Sequence, residues 1–329
     1  MEGSSYGRGS AVARRMTLLA LTGLSIVGLG AGCDHSAEPS GPTVTQRVTR
    51  EFGHELVGAE DRATLEDRRT VLGVLREHEN VKTGAAGLAV SSIGGLKADW
   101  EDGNGDGDES IWALIVNGIE ADERPSKYRL YPGDVVQWDL RDWYVTLDVR
   151  ATVGAFPQTF TRGVFGKRFP VTVECARPQA TSCIRVKETL RDAGVAIDGS
   201  SPAGGKPPEG QPRRARVLVG PWRSWRKRAW PSRIDAGPRY SGIFARFSPD
   251  ARELRLLDWN AHRAAVVGPG SGLVGAIRPT DGDLLWLVTG VDEQGVERAA
   301  NALNARDLRD AFAVVVTEDG VEKLPLAPR

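Results

Sequence analysis

Asp102-Gly-Asn104-Gly-Asp106-Gly-Asp108 sets oxygen-bearing side chains at alternate positions, with a glycine where such a loop must turn sharply. A calcium loop begins this way, because a hard cation takes six to eight oxygen ligands and short side chains two residues apart can close around it. The twelfth position, where a bidentate carboxylate would complete the loop, is Ala113, and Trp112 onward reads as strand rather than as an exiting helix. Asp102, Asn104, Asp106 and Asp108 are therefore the candidate calcium ligands, and a solvated acidic turn is the competing reading. Gly270-Ser-Gly272-Leu-Val-Gly275 fits the dinucleotide spacing G-x-G-x-x-G, but Pro279 follows four residues later. A pyrophosphate site needs several helical turns there, so the run reads as a glycine-rich bend. Trp222-Arg-Ser-Trp225-Arg-Lys-Arg-Ala-Trp230 is the densest basic and aromatic stretch. Arg223, Arg226, Lys227 and Arg228 suit an anionic envelope polymer or lipid headgroup. The alternative is Trp rings in the core with arginines at the rim.

Catalytic patterns are scarce. His35, His54, His78 and His262 have no metal-ligand spacing, and no G-x-S-x-G occurs. Paired carboxylates of the glycosidase kind remain open, since such pairs meet only in three dimensions.

The first residues indicate where the chain works. Arg8, Arg14 and Arg15 precede the uncharged run from Met16 to Gly32, which ends in small residues before Cys33. The run is short and glycine-rich for a membrane span. Gly30-Ala31-Gly32-Cys33 resembles a bacterial lipoprotein signal, with Gly30 where that family usually carries leucine. The resemblance implies a lipid on Cys33 and a protein anchored on the outer face of the cytoplasmic membrane or in the cell envelope. In that oxidising location the remaining cysteines, Cys175 and Cys183, form an even pair with seven residues between them, and a disulfide is expected. Nucleic acid is excluded as a partner by the same location.

The elements that must hold these residues fall into two parts. Residues 1–33 read as the signal, 34–48 as a Ser, Pro and Gly tether, 49–145 as a first domain and 150–329 as a second. A Gly/Pro-rich stretch at 199–212 reads as an exposed insertion in the second. Residues 50–143 carry 20 acidic against 11 basic side chains, whereas 144–329 carry 28 basic against 20 acidic. The neutral total hides an acidic part followed by a basic one. In the first part, periodicity predicts a strand from Val44 to Phe52 and a helix over 64–79. A turn is expected over 81–87, followed by strands at 88–93, 111–116, 126–131 and 134–140, with Asn117-Gly118 as a hairpin turn. In the second part strands alternate with helices at 183–194 and 293–303. The class is α+β: a mixed sheet with one helix, then an α/β or α+β domain.

The first part carries a further resemblance. Thr70-Val71-Leu72, Val90-Ser91-Ser92-Ile93, Trp112 with Val116-Asn117-Gly118, Gly133-Asp134-Val135-Val136, Trp138 and Asp142-Trp143 together resemble the transcobalamin-like C-terminal domain over residues 43–145. The acidic insertion before Trp112 departs from that pattern. The resemblance implies a β-grasp-like fold and, through transcobalamin itself, a cobalamin-like ligand. Of the four tryptophans in this acidic module, Trp112 and Trp138 lie mid-strand and suit the core. Trp100 and Trp143 flank loops and are the candidate ligand-binding residues. The reading is a membrane-anchored, non-catalytic extracytoplasmic binding protein for a small planar or apolar ligand or an envelope component. A cell-wall-acting enzyme and a purely structural envelope lipoprotein are the alternatives.

Overall fold

In the computed structural model, residues 41–58, 60–65, 69–84, 87–99, 110–142, 150–197, 212–279 and 282–328 are described. The first sheet is built from β1 (Thr43–Arg50), β2 (Glu55–Leu56), β3 (Asp61–Thr64), β7 (Ser110–Val116), β8 (Ile119–Glu120) and β9 (Val135–Asp142). Its path is β2-β1-β9-β7-β8, and β3 also pairs with β1. Strands β1 and β9 run parallel at the centre, and the flanking pairs are antiparallel. This order, with its central parallel pair, is β-grasp-like. One helix, α1 (Val71–His78), and a small antiparallel sheet of β4 (Val81–Gly84), β5 (Ala89–Ile93) and β6 (Leu96–Lys97) complete this module.

Alternation along the strands places Val44, Val48, Trp112, Leu114, Val116, Val136 and Trp138 in one core with Val71, Leu72, Val74 and Leu75 of α1. Helices this short are not stable alone, so this burial, at about 1.5–3 kcal/mol per large apolar side chain, is what holds α1. The helix begins later than its periodicity suggests. Thr70 is extended, its hydroxyl accepts from the Gly73 amide at 3.2 Å, and it bridges to Arg129. Thr64, expected to open the helix, pairs with β1 instead, as do 61–63 before it. Two further expectations are corrected. Residues 81–84 are strand β4, because they pair with β5, and 126–131 hold the end of a turn and a single bridge at Arg129 rather than a strand, with Tyr128 buried against Phe165 at 4.3 Å. Strand β1 starts at Thr43, inside the span read as tether.

The second sheet contains β10 (Val171–Cys175), β11 (Ala215–Pro221), β15 (Gly272–Ile277), β16 (Leu284–Gly290), β17 (Ala313–Thr317) and β18 (Gly320–Leu324). Its order is β10-β11-β16-β15-β17-β18. The first three strands are parallel and the rest antiparallel. Period two divides its side chains between two cores. Val217, Val219, Trp286, Val288 and Val314 face α3 (Thr181–Asp192) and α6 (Glu293–Asn301). Leu218, Leu285, Leu287 and Val315 face the other way. There they meet a small sheet of β12 (Ala245–Phe247), β13 (Leu254–Leu257) and β14 (Arg263–Val267), with α4 (Arg233–Ala236) and α5 (Pro238–Ser241) beside it. Short helices α2 (Gln158–Thr161) and α7 (Ala305–Leu308) close loops before β10 and after α6. The class is α+β throughout.

Residues 39–329 form one compact unit. The face of the first sheet turned away from α1 is buried yet polar: Thr49, Gln137, Asp139 and Arg141 are all under 6% exposed. It meets the second part through Arg47 to Asp310 at 2.9 Å and through Arg141 over the Phe312 ring at 5.2 Å.

Candidate functional site

The β-grasp module holds a groove of about 260 Å³ between β5 and the β7–β8 hairpin. Leu88 and Val90 form one wall, Trp112 and Leu114 the other, and Trp138 lines the floor. Glu120, Asp122, Glu123 and Arg124 line its polar margin. The hairpin that sets this geometry turns at Asn117-Gly118, where both residues have positive φ, 52° and 76°. A two-residue turn of that kind matches the twist of the strands and needs Asn-Gly chemistry. Asn117 also fixes the turn to the rest of the chain. Its amide donates to Asp134 Oδ1 at 2.8 Å and to the Gly163 carbonyl at 3.0 Å, and its Oδ1 accepts from the Val135 amide at 2.9 Å.

Two features give the groove chemical character. The indole N–H groups of Trp112 and Trp138 are buried and have no hydrogen-bond partner among the described residues. On neighbouring β1, Gln46, wholly buried on the same face, has neither amide atom bonded. Each such buried donor or acceptor leaves about 1–3 kcal/mol of desolvation uncompensated. The margin is acidic but braced. Glu120 accepts from Arg141 at 3.0 Å, and Asp122 pairs with Arg278 and, at 3.7 Å, with Arg150. Burial raises the Glu120 carboxyl above the usual carboxylate range, with Arg141 and Arg150 pulling the other way. This acid is thus tied into an ion pair with Arg141, with Asp122 near enough to raise its pKa further.

Two more carboxyls of this first part are pushed up by burial, and each accepts two hydrogen bonds. Asp134, at about 6, accepts from Asn117 and from the Tyr131 amide. Asp139, also at about 6, accepts from the Thr49 hydroxyl and the Gly53 amide. Among the described residues, no group of three or more His, Cys, Asp or Glu is placed to hold a metal ion. His54 meets the Pro325 carbonyl at 2.6 Å, and burial lowers its pKa.

No family model matches the sequence, and no curated protein does. One solved structure with partial likeness is a protein from Ruminococcus gnavus ATCC 29149, suggested to bind metal. It is 18% identical, covers 31% of this chain and 99% of its own, and has a TM-score of 0.24. No argument rests on it.

The residues singled out from the sequence are distributed as follows. Cys33, Trp100, Asp102, Asn104, Asp106, Asp108 and Trp143 lie outside the described residues, as does most of the 199–212 insertion. The residues bordering the acidic segment and Trp143 do come together: Ser110 pairs with Asp142, and the Asp99 amide donates to Ser110 Oγ at 3.0 Å. Cys175 and Cys183 are disulfide-linked, joining the end of β10 to α3. The basic stretch is largely neutralised. Trp222 stacks on Phe247 at 4.6 Å and Trp225 donates to the Gly220 carbonyl, so these two rings are core. Arg228 pairs with Glu174 at 2.7 Å, and Arg226 lies 3.9 Å from Asp235. Arg223 and Lys227 remain exposed, with no ion pair among the described residues.

The glycine run is a strand, β15, rather than a phosphate loop. A Cβ on Gly272 would lie 2.2 Å from the Gly295 carbonyl oxygen, and one on Gly295 would lie 2.1 Å from that of Ser271. These glycines let α6 sit directly on the sheet. Sequence reasoning did not identify the groove itself, with Leu88, Trp112 and Glu120 around it. The adjoining signal was the Asn117-Gly118 turn, which sets Glu120 opposite Ile115.

Proposed function

We propose that this chain is a lipid-tethered, extracytoplasmic binding protein whose β-grasp module takes the edge of a planar ligand in the Trp112–Trp138 groove. The observation that carries this is a groove walled by Leu88, Val90, Trp112 and Leu114, floored by Trp138 and edged by the acids Glu120, Asp122 and Glu123. The tryptophan rings supply stacking surface for a flat ligand. The transcobalamin-like pattern of the module supports the same reading. A groove of about 260 Å³ holds a ring or two and not a whole corrin, so a cobalamin-sized ligand would be gripped at one edge. The tether rests on the lipoprotein-like Gly30-Ala31-Gly32-Cys33. No helix among the described residues is long and apolar enough to cross a membrane.

Two measurements test this. Cys33→Ser should lose the lipid mass and leave the membrane fraction. Wild type and variant both fractionating as soluble would remove the tether. Calorimetry of the full chain in detergent with hydroxocobalamin and with muropeptide fragments should give heat for one of them. Trp112→Leu, which keeps the site apolar and deletes the flat ring, should weaken that binding about 5–10-fold. Silence with both ligands, or an unchanged affinity in Trp112→Leu, counts against the groove.

A further inference from the structure

A second cavity among the described residues lies elsewhere, at the carboxyl edge of the second sheet. Parallel strands β11 and β16 are neighbours there, and their chains leave in opposite directions. After β11 the chain turns through Trp222 into the core shared with β12–β14, whereas after β16 it enters α6, packed on the other face. In open α/β sheets the crevice between two strands whose connections part in this way is where ligands bind. Here that crevice is a cleft of about 730 Å³. Arg223 from the end of β11, Asp292 from the start of α6, the 250–253 turn and the Gly268–Pro269 turn line it.

The charges around the cleft are not all spent. Asp292 is used internally: one oxygen caps the Gly295 amide at 2.9 Å and the other accepts from the Gly270 amide at 2.9 Å. Its carboxylate thus already occupies the anion position at the start of α6, which excludes a phosphate cradle there. Asp250 is held by the Ser248 hydroxyl at 2.6 Å and the Arg252 amide at 3.2 Å. Arg223 and Glu253 are different. Both are exposed to the cleft, and neither side chain has a hydrogen bond or ion pair among the described residues. The cleft therefore offers one unspent guanidinium and one unspent carboxylate.

We propose that this cleft is a second binding site, for a zwitterionic ligand carrying both a carboxylate and an ammonium group, such as an amino acid or a short peptide. Arg223 takes the carboxylate, where its planar fork can make two parallel hydrogen bonds, and Glu253 takes the ammonium. Arg252, whose side chain is 84% exposed and only 3.9 Å-paired with Asp250, is free to swing toward the same carboxylate. The cleft is roomy enough for a dipeptide.

The test is calorimetry of the full chain in detergent against alanyl-alanine, its N-acetyl form and its C-terminal amide. The free dipeptide should bind, and each blocked form should bind about 10–100-fold more weakly. Arg223→Ala should abolish the preference for the free carboxylate and keep that for the free ammonium, and Glu253→Gln should do the reverse. Both side chains are exposed, so an unchanged melting temperature in each variant separates loss of binding from loss of fold. No heat at about 10 mM dipeptide, equal binding of the blocked forms, or variants that bind as wild type would each overturn the proposal.

Discussion

Asp139 is the most exacting point at which to test the physical reading of this fold. Its carboxylate is fully buried on the central strand β9. One oxygen accepts from the Thr49 hydroxyl at 2.6 Å and the Gly53 amide at 2.9 Å, while the other has no partner among the described residues. Burial outweighs the pull of Arg141 and these hydrogen bonds, and raises the carboxyl from 3.8 to about 6. Between those two values the folded chain holds a proton that the unfolded chain has released. Stability therefore falls as pH rises through that window. Two pH units at about 1.4 kcal/mol each give roughly 3 kcal/mol as the upper bound for this one group. Asp139→Asn keeps the accepting oxygen and removes the titration. Chemical denaturation of both proteins at pH steps from 4 to 8, followed by tryptophan fluorescence, isolates the effect as a difference, because Asp134, Glu120 and Asp235 titrate in both. The variant should gain on wild type by about 2–3 kcal/mol on going from pH 4 to pH 7. Parallel stability curves would show that Asp139 is ionised in the fold, with the desolvation argument wrong.

Two further outcomes are expected. Gly295→Ala should lower stability by at least about 2 kcal/mol in thermal melts, because the new Cβ would lie 2.1 Å from the Ser271 carbonyl and force α6 off the sheet. Removing the Cys175–Cys183 link as the double serine variant should cost about 2–3 kcal/mol through the freer unfolded chain, and non-reducing peptide maps of the native protein should show the two peptides joined.

Legibility differed from element to element for physical reasons. Strands β7, β13 and β16 were readable because they are near-continuous apolar runs, and the β7–β8 turn because Asn-Gly has few other uses. The start of α1 was not. Residues 64–70 carry the same mixture of leucine and charge as a helix, and only pairing with β1, which no local pattern reveals, draws 61–64 into a strand. The same holds for β4, whose Val-Lys-Thr-Gly is four residues of neutral propensity until β5 lies beside it. The groove was half legible: Trp112 was assigned to the core, and its wall at Leu88 lies in a distant segment. Trp222 and Trp225 read equally well as a binding stretch or as core until Phe247 and Gly220 were placed against them.

The opposite charge of the two parts of the chain has a structural counterpart where they meet. Asp122 pairs with Arg278, and Glu60 with Arg309, so acids of the first part face arginines of the second. Arg47 to Asp310 runs the other way. Partly exposed pairs of this kind contribute little individually, on the order of 0–1 kcal/mol, so they specify the fit more than they hold it. Apolar insertion does more. Phe52 sits 2% exposed with its ring edge-on to Phe244 at 5.0 Å and Phe312 at 5.2 Å, deep in the second core. To reach there the chain bends through Glu51 and Phe52 at φ of 55° and 61°, a conformation that costs roughly 1–2 kcal/mol for each non-glycine residue. Burying a phenylalanine contributes about as much as that bend costs, and two aromatic pairs add about 0.5–1.5 kcal/mol each. The next residue, Gly53, has no alternative: a Cβ there would lie 1.9 Å from the Asp310 carbonyl oxygen. The β1–β2 turn therefore acts as a peg driven into the second part. The polar seam around it includes Asp139, which accepts from the Gly53 amide in that same turn.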